Sequence, residues 1–271
     1  MLNTRPTRRF RSSTLDGFDV QRHVIGALLI RELHTRYGRD NIGSMWMFLE
    51  PLLLAVAVAF LHANGGNGHP GSDIRIIPFA LTGYTVFMIF RSIVTRAESA
   101  LEANRPLLFH HMVTIFDLLF SRALLELIAT AGALALLFSL AVATGLAEPP
   151  GRPLRLMSAI VLLAWFAFAL SMGIATGVHF SKAFSKFVHP ATYIAMPLSG
   201  AFFLLEWIPQ PYRTWLSWSP LNQIFEMVHS GVFKSYDSPY FDPLYIIGWC
   251  MVLTVLGFLL LRVLRRHLHL S

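Results

Sequence analysis

Long apolar runs, rather than alternation, organise this chain. Six of them reach or approach the ~20 residues a helix needs to cross a bilayer. They cover 46–63, 76–94, 116–146, 154–179, 187–205 and 243–264. The third is long enough to tilt or to project beyond the hydrocarbon. The fifth carries Pro190 and Pro197, and proline in a helix interior removes a backbone donor, so this run is expected to kink or break. The pattern predicts an all-α membrane protein with six transmembrane helices. It divides into a cytoplasmic N-terminus (1–45), a membrane domain (46–264) and a short cytoplasmic tail (265–271).

The stretch ahead of the first run has a different rhythm. In DVQRHVIGALLIRELHTRY (19–37), Val20, Val24, Ile25, Leu28, Leu29 and Leu33 share one helical face, while Arg22, Arg31, Glu32, Thr35 and Arg36 fall largely on the rest. Asp19 is placed to start this helix and Gly38 to end it. Its apolar part is too short to span, and a basic amphipathic helix of this kind lies in the headgroup plane. The basic patch 36–41 then turns the chain into the membrane and Trp46 fixes the depth of entry. Glu50 lies about one turn inside, tolerable if it faces protein or water rather than lipid. Pro51 costs little near a helix start.

The connections carry the orientation. With six spans, 17 of the 22 Lys and Arg residues fall on the side that holds both termini and 5 on the other. The positive-inside rule therefore places both termini in the cytoplasm. HANGGNGHPGSD (62–73) reads as a flexible outer loop. The segment 206–233 is apolar and aromatic, but Pro and charge interrupt it too often for a span. It is expected to form short helices at, or dipping into, the outer interface, with Trp207, Trp215 and Trp218 in an aromatic belt.

Composition agrees. Of 271 residues, 55% are hydrophobic and 14% charged, against about 25% charged in soluble domains. The net charge of +7 does not point to nucleic acid, because the basic residues sit between apolar runs. The single Cys250 lies within such a run and excludes an intrachain disulfide framework. No compact apolar core follows a short basic start, so no cleavable leader is expected.

Candidate chemistry is sparse. The loop between the second and third runs, 96–117, puts Glu98 and Glu102 on one helical face, and Pro106 stops that helix after Asn104-Arg105. This charged helix is either something a soluble motor could push or a solvated turn. Arg122 and Glu126 are four residues apart and are expected to pair with each other, the alternative being a proton relay with Asp117. His110 and His111 are adjacent, so they point in different directions on a helix, and no H-E-x-x-H spacing occurs. No metal site is expected. GIATG (173–177) permits close helix approach, within the chain or between copies. Among the many aromatic residues, Trp46, Tyr84, Phe87 and Phe90 are candidates to line a sugar path, since C–H faces of sugars pack on rings; the alternative is ordinary packing. With Arg36 and Glu50 they form the candidate substrate path.

RYGRDNIGSMWMFLEPLL, six runs, and ESALEANRPLLFHHMVTIFD between the second and third together resemble the ABC-2 type permeases that export polysaccharide. The closest likeness is to the capsular polysaccharide export inner-membrane proteins of Gram-negative bacteria. The matching residues are Arg36-Tyr37, Gly43, Trp46, Glu50-Pro51 and Asn104 to Leu108. The resemblance implies a homodimer, each copy paired with a separate ABC ATPase, passing a lipid-linked polymer between the copies. A periplasmic co-polymerase and an outer-membrane export protein would continue the path. It also marks Glu98, Glu102, Asn104 and Arg105 as the ATPase-coupling element. The chain has no G-x-x-x-x-G-K-[ST] motif, so ATP and Mg would be bound by the partner, with no cofactor and no catalysis here. Other ABC-2 cargoes (O-antigen, teichoic acid) and a membrane-embedded transferase using His110 or His111 are the alternative readings.

Overall fold

The computed structural model describes residues 14–37, 74–104 and 113–268, together with positions 49, 53 and 57; side chains 14–20, 35–37 and 268 are outside the description. The described residues are helical, without strands. In chain order the helices are α1 (Thr14–Tyr37), α2 (Ile76–Glu98), α3 (Ala100–Ala103), α4 (Ile115–Ala143), α5 (Pro153–Phe180), α6 (Lys182–Leu198), α7 (Tyr212–Ser217), α8 (Pro220–Val232) and α9 (Pro243–Leu268). A 3-10 turn, Leu205–Trp207, lies between α6 and α7.

Four of these helices, α2, α4, α5 and α9, are long and apolar enough to cross a membrane. They coincide with the second, third, fourth and sixth runs. The first run, with Trp46, Glu50 and Pro51, lies outside the described residues.

α2, α5 and α9 run one way and α4 the other, which gives the bundle two ends. At one end sit α1, the α2–α4 connection, the α5–α6 turn and the end of α9, where His267 meets Phe180. At the other end sit Arg75, the α4–α5 connection and residues 199–242. Backbone bonds Gly151 N–H to Val232 O (2.9 Å) and Arg152 N–H to Gly231 O (2.8 Å) hold that second end.

α2 is the most enclosed of the four: Val86, Phe87 and Ile89 are fully buried. It packs on α4 and α5, and α5 also packs on α8 and α9. Two glycines permit backbone approach. A Cβ at Gly83 would stand 1.9 Å from the Ala201 carbonyl oxygen, and one at Gly231 would stand 2.7 Å from Leu156 N. The GIATG pair is used within the chain: Gly177 faces the Phe184 ring and Gly173 faces Leu260.

Two expectations are corrected. α1 begins at Thr14, not at Asp19: no proline interrupts residues 14–18, so the helix runs on upstream. Its apolar face is also partly taken up by protein, since Leu28 is buried while Ile30 and Leu33 stay exposed, and α1 packs on α4. The fifth run stays helical through both Pro190 and Pro197, which lie inside α6, and the helix ends one residue past Pro197. α6 holds 17 residues, about 25 Å of helix, and the chain continues past Leu198 without helix to the 3-10 turn.

Candidate functional site

The candidate coupling element lies at the α1 end of the bundle. α2 ends at Glu98, and α3 follows as a single turn closed by Asn104, whose Nδ2 donates to Ala100 O at 2.9 Å. Glu102 is exposed and Asn104 is buried. Arg105, and the His110-His111 pair, lie outside the described residues. Glu98 is partly buried, with His189 Nε2 of α6 3.4 Å from its Oε2, an ion pair whenever the imidazole is protonated. Two α2 turns earlier, the Arg91 guanidinium lies over the Tyr193 ring, 4.0 Å from its centre.

α4 starts with a capping box. The Thr114 hydroxyl accepts from Asp117 N–H at 3.1 Å, and Asp117 Oδ2 accepts from Thr114 N–H at 3.2 Å. Two orphan donors of the first turn are thus satisfied reciprocally. Asp117 Oδ1 also accepts from Gln21 of α1 at 2.9 Å.

The charges inside the bundle pair across helices, not along α4. Arg122 Nε lies 3.3 Å from Glu32 Oε1 of α1, and Arg122 Nη1 donates to Arg96 O at 3.3 Å. Glu126 instead pairs with Arg96 of α2. The expected Arg122–Glu126 pair is therefore replaced by two interhelical pairs. The reason is local: Glu126 is 2% exposed and faces α2, whereas Arg122 reaches towards α1. Arg31 of α1 donates to Asn104 Oδ1. Glu32, read from sequence as part of the polar side of a headgroup-level helix, is thus a structural partner of α4, and so is Gln21. No single-sequence signal places them there.

The candidate path residues of α2 lie in the core of the chain. Tyr84, Phe87 and Phe90 are 5%, 0% and 6% exposed. Phe87 packs near Phe90 and Phe225, ring centres 5.7 and 6.3 Å away, and Phe90 near Phe166 at 6.3 Å. Trp46 and Glu50 are outside the described residues, and so is the Arg36 side chain.

At the opposite end, a second polar cluster was missed in the sequence. Glu226 of α8 is 1% exposed. Its Oε1 accepts from Leu205 N–H at 2.7 Å, and its Oε2 accepts from the hydroxyls of Tyr236 and Ser238, each at 2.5 Å. Burial raises its carboxyl above the usual range despite those three donors. The same burial, with the adjacent Glu226, raises the Tyr236 phenol. One turn on, His229 is fully buried, 2.9 Å from Gly200 O through Nε2, and stacked on Phe79 at 4.5 Å. Burial lowers its pKa to about 4, so the ring is neutral. Asp237, held below the usual carboxylate range chiefly by its hydrogen bond from Arg155, also meets Arg152 at 3.3 Å. A carboxylate inside an apolar stretch such as NQIFEMVHSGVF was the available signal for this cluster.

Beside these groups is a small open cavity of about 240 Å³ lined by Arg75, Phe138, Glu148, Phe233 and Lys234. Trp215 and Trp218 are exposed, whereas Trp207 is partly buried, its ring 5.4 Å from that of Phe79. Among the described residues no three His, Cys, Asp or Glu converge as a metal-binding set.

The described residues form buried apolar helices with a charged joint at one end and a hydrogen-bonded carboxylate cluster at the other. The family model for ABC-2 type transporters matches residues 23–233. The chain belongs to the ABC-2 type transporter family. Its relatives extend the match over nearly the whole length. The capsule polysaccharide export inner-membrane protein CtrC of Neisseria meningitidis serogroup A is 35% identical over 248 residues, covering 91% of this chain and 93% of the relative. BexB of Haemophilus influenzae, which carries the same description, is 32% identical over 247 residues, 90% and 91% of the two chains. The polysialic acid transport protein KpsM of Escherichia coli is 28% identical over 257 residues, 91% and 95%. The ABC-2 match, from His23 of α1 to Phe233, takes in Glu32, Arg96, Arg122, Glu126 and Glu226 and stops short of Tyr236 and Ser238.

Proposed function

We propose that this chain is the transmembrane subunit of an ATP-driven exporter that moves a lipid-linked capsular polysaccharide across the bacterial inner membrane. The observation that carries the reading is the 35% identity to a capsule polysaccharide export inner-membrane protein over nine-tenths of both chains. The ATPase is a separate chain and the permease works as a homodimer.

In this reading the chain crosses the membrane six times with both termini in the cytoplasm. Support comes from four long apolar helices, from the Lys and Arg asymmetry, and from a change of end. α1 contacts α4 at one end of the bundle, while Arg75, at the start of α2, donates to Gly145 O at the other. The apolar run 46–63 supplies the crossing between them. α6 and the segment after it make the fifth. Residues 205–242 then form the outer face, with exposed Trp215 and Trp218 at the level of the headgroups.

The ATPase meets the cytoplasmic end at Glu98, Glu102, Asn104 and Arg105. Exposure of Glu102 next to the buried Asn104 supports this reading, because it offers a charged knob on a fixed base. Arg36, Trp46 and Glu50 meet the lipid end of the cargo, and a periplasmic co-polymerase and outer-membrane protein receive the polymer.

Deletion of the gene tests this directly. Full-length polymer accumulates inside the cell and surface capsule is lost, both restored by the intact gene. Normal surface capsule in the deletion strain would remove the reading. Topology is tested by a cysteine at position 102: a membrane-impermeant thiol reagent labels it in inverted vesicles and not in intact cells.

A further inference from the structure

α1 is joined to the rest of the bundle by three separate side-chain contacts. Arg31 donates to Asn104, the residue that closes α3. One position along, Glu32 meets Arg122 at 3.3 Å. Arg122 also donates to the Arg96 carbonyl near the end of α2, where helix carbonyls begin to lack donors from the following turn. Gln21 holds the Asp117 carboxylate at the start of α4 at 2.9 Å. Gln21 and Glu32 are eleven residues apart, about 16 Å along a helix. α1 is therefore pinned at two well-separated points and cannot pivot about either one.

Buried charge pairs are poor devices for adding stability, since an apolar set of equal volume avoids their desolvation cost. Their strength is register. Hydrophobic packing would let α1 roll or slide on α4, whereas each ion pair and hydrogen bond admits one geometry. Asn104 is 3% exposed and the Arg122 side chain 13%, so neither can exchange its partners for water without moving.

We propose that these contacts make α1, α3 and the adjoining ends of α2 and α4 one lever. Arg31, Glu32, Asn104 and Arg122 are its positioning residues, and a push on α3 is delivered undiminished to α1. The inference rests on the reading of α3 as the ATPase contact. It adds that the headgroup-level helix moves with the motor's stroke rather than independently of it.

The test uses the full chain assembled with its ATPase, in a Cys250→Ala background. Arg31→Cys and Asn104→Cys are joined by a short, reducible bifunctional thiol reagent. Within a rigid lever the link itself changes nothing: whatever the two substitutions cost, the cross-linked complex keeps more than half of the polymer export per ATP hydrolysed that the same variant shows before cross-linking. Export that stops on cross-linking and returns on reduction shows that α1 and α3 move relative to each other, and overturns the proposal.

A charge swap gives the second readout. Arg122→Glu retains ATP hydrolysis but lowers export per ATP about tenfold, within the range of typical coupling energies. Glu32→Arg with Arg122→Glu restores most of it. A merely structural role would move assembly and export together, leaving their ratio unchanged, and that result or a swap without rescue also overturns the lever. Where Arg122→Glu does not assemble, the cross-link decides alone. Failure of the ATPase-contact reading looks different: Glu102→Lys leaves hydrolysis and export untouched while the cross-linked complex still exports.

Discussion

The Glu226 carboxylate, buried in α8, receives the Tyr236 hydroxyl at 2.5 Å from the loop that leads into α9. With the Leu205 N–H and the Ser238 hydroxyl, it ties two segments of the outer end, the 3-10 turn and the loop after α8, to one side chain. Removing it strands three buried donors, each worth ~1–3 kcal/mol when left unmade. Glu226→Ala is expected to cost at least ~3 kcal/mol, whereas Glu226→Gln keeps an acceptor and costs less than half as much. Thermal unfolding of the detergent-solubilised protein separates the two.

His229 sets an acid limit on the same region. Its folded pKa is about 4, against 6.5 for a free imidazole, because burial disfavours the cation. The unfolded chain therefore binds this proton first, and stability falls as pH drops from 6.5 towards 4. At ~1.4 kcal/mol per pKa unit, the full loss is about 3 kcal/mol. Glu226 acts in the opposite sense: its raised pKa withdraws stability as pH rises above its usual value. His229→Gln should flatten the acid side of a melting-temperature profile and leave the neutral side parallel to the parent.

Arg96 and Glu126 form an unequal pair, since the Arg96 side chain is 37% exposed and that of Glu126 2%. Glu126→Leu leaves a cation that can turn to water and costs little. Arg96→Met leaves a carboxylate buried and costs ~2 kcal/mol or more, below the ~3–5 of fully buried pairs. The double variant regains most of that loss. A cycle of melting temperatures reads all three.

Gly83→Ala places a methyl 1.9 Å from the Ala201 carbonyl oxygen. The segment after α6 must move, so folded protein and export both fall sharply. Gly132→Ala is the matched control. No atom lies within 4 Å of its Cβ position, and Ala is the better helix former by ~1 kcal/mol. Its yield should equal or exceed the parent's.

The parts legible in the sequence were those written in hydrophobic length. The runs 76–94, 154–179 and 243–264 anticipate α2, α5 and α9 because length and apolarity are properties of one segment. The early end of helix in the fifth run was legible from Pro197, one residue before α6 stops, whereas Pro190, read the same way, lies inside α6. Side-chain partners were not legible. Arg122 and Glu126 satisfy a helical pairing rule, yet their partners Glu32 and Arg96 stand 90 and 30 positions earlier, and no local rule reaches that far. Phe87 and Phe90 show the same limit: an aromatic ring suits a sugar path or a core equally well until its neighbours are known. The Glu226 clamp leaves one mark in the sequence, a carboxylate inside an otherwise apolar stretch, while its partners at 205, 236 and 238 are brought to it only by the fold.

The capping box at Thr114 and Asp117 lets α4 start from its own residues, with Gln21 of α1 as a further partner of Asp117. Drift at other positions of the first turn can therefore leave the start of α4 where it is, as long as a hydroxyl at 114 and a carboxylate at 117 are kept.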